Sequence, residues 1–423
     1  MSLPTSQAIS GLFETPVTLE DVNAVISEQL NTETRLKETS KLTVIGDGNG
    51  FLSRVILVEP EWTVPDARLE LPQKFILKIT TNLHMQNMVS KGKEDGSRPM
   101  TEEKEKEMWN HFLEVIRKMN DQEVCFYRFV SKREDRLRAD LLMPKMYFGK
   151  TMDQERRGFV GLEYVEDCVV RHVFDNTAPE ELHPVLKAIA ALQATTFLIN
   201  EDEKRVLSEE KPLAAMGGML SEEGIKGLFL QTRKIGESVS KKVDIVVALG
   251  KGLVDLEFVR NLNTAVGMEK DVLVHGDLWS TNILWKQSGE GHSVSKILDY
   301  QLVHFGNPAE DLVRLFVSTL SGFDRRDHWE ELTERFYDYF LESLDDQEPP
   351  YTLEQLKESY RLFFVAGALA LLPMFGPVVE VKMKSFSEEE KEIYQKIVCK
   401  KAECLLEDVV TWHEYRVQRT KKQ

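Results

Sequence analysis

The stretch "VLVHGDLWSTNILW", Val272 to Trp285, sets His275, Gly276 and Asp277 between two apolar runs, with Asn282 five residues beyond the Asp. A further apolar run in "KILDYQ" then ends on Asp299. An ionised carboxylate between segments that read as buried strands is costly unless it is paired or bound to a metal. Two acids and an amide delivered by neighbouring strands therefore predict a site that holds a cation.

A second group lies nearer the N-terminus. "VIGDGNGFLSRVILV" carries Gly46, Gly48 and Gly50, and glycines in such a turn let backbone N–H groups approach phosphate oxygens. A β-hairpin with glycine-rich corners has the same composition. A dinucleotide fingerprint is excluded, because position 51 is Phe51 and a strand-like "RVILV" follows where a helix is required. A Walker A loop is excluded too, since Gly-x-x-x-x-Gly-Lys-Ser/Thr does not occur; the Gly-Lys-Thr at Gly149 to Thr151 has Pro144 where the first glycine is required. What remains is strand, glycine turn, strand, and a third strand, "KFILKIT", that carries Lys78.

The elements that must position these groups can be read from periodicity. A helix is expected around "TLEDVNAVISEQL", then short β-branched runs at "KLTVIG", "FLSRVILVE" and "KFILKIT". From Lys91 to Glu107, eleven of seventeen residues are charged, as in a solvated loop or helix face. "MWNHFLEVIRKMNDQEVCFYRFV" has helical spacing, and "KMYFG" and "GFVGLEYV" read as two more strands. Beyond about Asp167 the pattern is mostly helical, except for the strand pair that holds the HGD motif. The expected fold class is α+β, with a five-stranded antiparallel N-terminal lobe over residues 1–166 and a larger helical lobe over 167–423.

Bulk properties narrow the functions. The 423 residues suffice for two lobes. The 54 basic and 70 acidic residues give a net charge of −16, which argues against nucleic acid or an anionic membrane as the main partner. Cys125, Cys168, Cys399 and Cys404 are too scattered for a disulfide framework and read as free thiols. "MSLPTSQAISGLFETP" lacks the pattern of a secretory signal and no N-x-S/T sequon occurs, so a cytoplasmic location is expected. "LFFVAGALALLPMFGPVV", Leu362 to Val379, is uncharged, but it contains Pro373, Gly376 and Pro377 and continues an amphipathic approach. It reads as a buried helix, not a membrane span.

With these residues in place, the chain resembles a known family. Asp277 and Asn282 match the kinase pattern H-x-D-x-x-x-x-N, and Asp299 stands where the metal-binding Asp of D-F-G would be. "HGD" for H-R-D, "LDYQ" for D-F-G and the following "GNPAEDL" are similar to the aminoglycoside phosphotransferase and choline kinase superfamily. Within it, "HGDLWSTNILW" and "LDYQLVHFGNPAEDL" resemble the CHK-kinase-like, ecdysteroid-kinase-like family. The resemblance spans about Leu42 to Leu372 and implies a protein-kinase-like bilobal fold with ATP and Mg2+ as cofactors.

By that resemblance, Asp277 orients or accepts the acceptor's hydroxyl proton, and Asn282 and Asp299 ligate magnesium. Lys78 holds the α- and β-phosphates beneath the Gly46, Gly48 and Gly50 loop, oriented by a helix glutamate. Glu123 is the choice for that glutamate and Glu114 the reserve. Glu163 C=O and Val165 N–H in "GLEYVED" bond the adenine edge. His275 and Asp311 are structural supports of the catalytic loop, and Trp279 and Trp285 either line a pocket or pack in the core.

The implied function is phosphorylation of a hydroxyl on a small molecule, with an ecdysteroid-, choline- or xenobiotic-like acceptor. A nucleotide-binding pseudokinase with a regulatory role is the alternative. Metal-dependent hydrolysis through His275 and Asp277 lacks a second histidine cluster. Gly276 replaces the Arg with which protein kinases grip a phosphorylated loop, and only eleven residues separate Asp299 from Asp311. No protein substrate is therefore expected.

Overall fold

The computed structural model describes residues 11–46, 52–64, 68–83, 102–133, 135–207, 229–230, 232–250, 252–289, 291–382, 384 and 386–421. Gly48, Gly50 and most of the charged 91–107 stretch lie outside them. The chain divides into two compact units, Met1–Arg138 with Pro144–Glu166, and Ala139–Met143 with Asp167–Gln423.

The first unit opens with helix α1 (Leu19–Leu30), whose start is fixed by a capping box. Thr18 Oγ accepts from Asp21 N–H, and the Asp21 carboxylate accepts from Thr18 N–H. Strands β1 (Lys41–Ile45), β2 (Ser53–Glu59) and β3 (Phe75–Thr80) follow, then helix α2 (Glu102–Ser131), β4 (Met146–Lys150) and β5 (Phe159–Glu163). They form one antiparallel sheet in the order β1-β2-β3-β5-β4. Val22, Ile26, Ile56, Val58, Phe75, Leu77, Ile79, Phe148 and Phe159 make the core beneath it. The five strands and the helices read from periodicity are all present.

The second unit is mainly helical, but it holds more β-structure than the single strand pair expected. Strand β6 (Cys168–Val170) precedes helix α3 (His183–Ala194) and helix α4 (Glu237–Ala248). The pattern that continues α4 breaks at Gly250 and Gly252, both at positive φ (70° and 94°). Strands β7 (Val272–Val274), β8 (Ile283–Ser288), β9 (Gly291–Ile297) and β10 (His304–Gly306) come next. They form two small sheets, β6-β8-β9 and β10-β7. Strands β6 and β10, three residues each, carry too little alternation to be seen in sequence.

Helix α5 (Glu310–Thr319) follows and is buried from Asp311 to Thr319. Helices α6 (Gly322–Ser343), α7 (Leu353–Lys382) and α8 (Glu388–Thr420) complete the unit. By length and composition α7 is apolar enough to cross a membrane, yet most of its apolar window is buried inside the unit. Leu362, Phe363, Phe364, Val365, Leu369 and Leu372 are all core residues.

Candidate active site

In the first unit, Lys78 sits in the centre of the sheet, its Cα opposite Val55 of β2 and Val160 of β5. Its ammonium donates to both carboxylate oxygens of Glu123 at 2.8 Å. The two side chains are 8% and 1% exposed, so the pair is desolvated and each charge depends on the other. One helical turn earlier, Asn120 Nδ2 donates to Thr80 Oγ1 at 3.2 Å. Two positions on one face of α2 thus meet two on one face of β3, following the helix and strand periods. Glu114, the other candidate, is exposed and pairs with Arg117 at 3.1 Å.

Gly46 ends β1 at φ 70°, a conformation that glycine adopts without strain. At the end of β5, Glu163 N–H donates to the Lys145 carbonyl at 2.8 Å, and Lys145 N–H returns a bond to Glu163 Oε2 at 3.0 Å. Val165 follows two residues later, outside the strand and half-buried.

In the second unit the HGD stretch leaves β7 and turns sharply. His275 N–H and Gly276 N–H donate to the two Asp311 oxygens at 2.8 and 2.9 Å. Asp311 lies in the first turn of α5, where the helix dipole favours an anion. Burial pushes its carboxyl up, opposed by His275 and the two N–H groups. Burial pushes His275 down, so its imidazole is neutral. Asp277 N–H donates to Nδ1 at 3.2 Å, and Nε2–H donates to the Leu298 carbonyl at 2.9 Å. His275 thus ties the Asp277 amide to the Leu298 carbonyl.

Gly276 adopts φ 77°, and a Cβ there would lie 2.3 Å from the Leu302 carbonyl oxygen and 2.9 Å from His304 Nδ1. No side chain fits that position. His304 itself is buried. Burial opposes its charge, but the Glu310 carboxylate 3.3 Å away raises its pKa above the ordinary value.

The β8–β9 hairpin brings the remaining residues to this loop. Ile283 pairs with Ile297, and one step further Leu298 N–H donates to the Asn282 carbonyl at 2.8 Å. The Leu298 peptide is thus held by Asn282 on one side and His275 on the other, and Asp299 follows directly. Asp299 takes a left-handed conformation, φ 69° and ψ 62°. Strained backbone of this kind persists where its surroundings over-determine it. Asn282 Nδ2 donates to the Asp277 carbonyl at 2.8 Å and lies 3.5 Å from Asp277 Oδ2. Among the described residues no group of three His, Cys, Asp or Glu could hold a metal ion.

Sequence reasoning missed Arg314. Its guanidinium meets Asp277 Oδ1 at 3.1 Å, with the two side chains 8% and 21% exposed. It also missed Ser318, whose Oγ accepts from Ser280 N–H at 3.0 Å. The signal was available in the spacing 311, 314, 318, which places three polar residues on one face of a helix whose positions between them are apolar. Trp279 and Trp285 are both buried, and Arg171 stacks over the Trp285 ring at 4.6 Å. They pack in the core.

A family model described as "Uncharacterized oxidoreductase dhs-27" (DUF1679) matches residues 5–417. The chain belongs to the DUF1679 family. That family lies within the CHK-kinase-like group that the HGDLWSTNILW wording resembles. The DUF1679 chain is similar to the uncharacterized kinase-like protein D1044.1 of Caenorhabditis elegans, 25% identical over 256 residues, which are 60% of this chain and 64% of that protein. It is also similar to the uncharacterized oxidoreductase dhs-27 of Caenorhabditis elegans, 29% identical over 150 residues, 33% of this chain but 17% of that protein. The DUF1679 chain therefore spans less than two thirds of the length of these curated relatives. Among solved structures, Plasmodium vivax ethanolamine kinase Pv091845 shares 14% identity, with 86% of this chain and 82% of that one covered, at a TM-score of 0.39.

Proposed function

We propose that the chain is an ATP- and magnesium-dependent kinase that phosphorylates a hydroxyl group of a small molecule. The observation that carries this reading is the HGD loop, where Asp277 and Asn282 are fixed by hydrogen bonds and the β8–β9 hairpin delivers Asp299 beside them. The donor set suits magnesium, a hard cation commonly held by one or two carboxylates while substrate phosphates supply further oxygens. Asp299 provides the carboxylate and Asn282 the amide oxygen, since the Asn282 nitrogen is already committed to the Asp277 carbonyl. Magnesium, when bound, neutralises the charge on the transferring phosphoryl group.

The chain's own residues supply the rest. Lys78, held by Glu123, grips the α- and β-phosphates. Glu163 C=O and Val165 N–H bond the adenine edge. Asp277 orients the acceptor hydroxyl and accepts its proton. Retention of Lys78, Glu123, Asp277, Asn282 and Asp299 together favours catalysis over a nucleotide-binding pseudokinase. An ecdysteroid-, choline- or xenobiotic-like alcohol is the acceptor class.

The segment after Asp299 supports a small acceptor. From Leu302 to Ala309 it is buried, and β10 within it is paired to β7. So short and locked a span leaves no platform for a peptide. The test is a metabolite extract incubated with ATP, Mg2+ and the purified chain, searched by mass spectrometry for products one phosphate heavier. The reading expects such a product with the wild type and none with Asp277→Asn. Products formed equally by both proteins, or by neither, would overturn it.

A further inference from the structure

Three side chains on one face of α5 hold the loop at successive points. Asp311 binds the His275 and Gly276 amides, Arg314 binds the Asp277 carboxylate, and Ser318 binds the Ser280 amide. The two outer contacts end on backbone, and so they fix the path of the loop. The central one ends on the side chain assigned to proton acceptance, and it holds one oxygen of that carboxylate. Arg314 is nearly buried, and its planar guanidinium reaches Oδ1 from a helix with no solvent-exposed face.

We propose that Arg314 is a positioning residue for phosphoryl transfer, which acts through Asp277 by fixing the carboxylate's rotamer. The proposal rests on the kinase reading above. With Oδ1 engaged by Arg314, Oδ2 is the oxygen turned toward the acceptor, beside Asn282 Nδ2 at 3.5 Å. A carboxylate free to rotate would reach that orientation only part of the time, and misplacement of a reacting group by about 1 Å costs on the order of 10²-fold in rate. The lost quantity is turnover, because Arg314 acts through the Asp277 carboxylate.

The test uses water as the acceptor, since MgATP hydrolysis needs no identified substrate. There the bond between γ-phosphorus and the β,γ-bridging oxygen breaks, and one to the water oxygen forms. Asp277 takes the water's proton, and ADP and inorganic phosphate are released. Wild type, Arg314→Met, Arg314→Lys, Asp277→Asn and the Asp277→Asn/Arg314→Met double variant are compared for kcat, KM for MgATP and thermal midpoint. We expect Arg314→Met to lower kcat about 10²-fold with KM within about twofold. Arg314→Lys should recover part of that loss, and the double variant should be no slower than Asp277→Asn alone.

Two results overturn the proposal: wild-type kcat in Arg314→Met, or a further loss in the double variant as large as in the single one. The second would mean that Arg314 acts on the fold at large. Wild-type turnover in Asp277→Asn would overturn the kinase reading and the inference with it. A drop in thermal midpoint common to Arg314→Met and Arg314→Lys, with no difference between them in kcat, also counts against positioning.

Discussion

Lys78 and Glu123, forty-five positions apart, share a buried ion pair in which the ammonium donates to both carboxylate oxygens at 2.8 Å. Such a pair contributes little net stability over an apolar pair, but breaking one half leaves a buried charge at a cost of about 3–5 kcal/mol. Lys78→Met and Glu123→Leu should each destabilise by that order, and the double variant should recover most of it. Urea denaturation of the four proteins measures the coupling. Additive losses would show that the two charges do not depend on each other.

Asp299 should govern the metal dependence of nucleotide binding. Asparagine tolerates the left-handed backbone that Asp299 adopts, so Asp299→Asn removes the charge without adding backbone strain. Calorimetric titration of ATP with and without Mg2+ should show a magnesium-dependent gain in the wild type that is largely lost in the variant. The same gain in both proteins would remove Asp299 from the metal site.

Gly276 is held by backbone geometry and by the Leu302 carbonyl. Gly276→Ala should therefore lower stability by about 2 kcal/mol or more, from the sum of left-handed strain and the displacement of a buried carbonyl. A thermal midpoint within a degree of wild type would mean that the loop can relax. The same contact explains why the arginine of H-R-D cannot be accommodated in this loop.

Lys401 on α8 is buried and donates to the Ser318 and Thr319 carbonyls at the end of α5, at 3.1 and 3.4 Å. Burial, assisted by Arg325, pulls its pKa down to about 7. Below that pH the amine is protonated both folded and unfolded, and the full cost of burying the charge is present. Between about 7 and the ordinary value of 10.5 the unfolded chain binds the extra proton, so stability rises with pH. The rise is on the order of 3–5 kcal/mol. Lys401→Met should flatten the curve over that window relative to wild type. An identical slope in both proteins would show that Lys401 does not set it.

The sequence made some of this plain and hid the rest, for identifiable reasons. The first unit was legible because β-branched runs such as "RVILVE" and "KFILKIT" alternate cleanly between glycine and proline breaks. Asp277, Asn282 and Asp299 stood out because charge between apolar strands is costly. Arg314 did not, because its meaning lies in a contact across thirty-seven residues that only the folding of β7, β10 and α5 creates. The choice of Glu123 over Glu114 rested on apolar neighbours, and Glu123 is the one buried against Lys78. Strands β6 and β10, each three residues long, owe their existence to pairing partners and left no periodic trace.

The γ-phosphate of labelled ATP reports phosphoryl transfer directly. The purified chain, stripped with a phosphatase, is incubated with MgATP, a small-molecule extract and a generic unfolded protein. The account predicts label in the small-molecule fraction with the wild type, a loss of about 10²-fold or more with Asp277→Asn, and none in the protein fraction. Asp277-dependent label on protein, or undiminished transfer by Asp277→Asn, would contradict it.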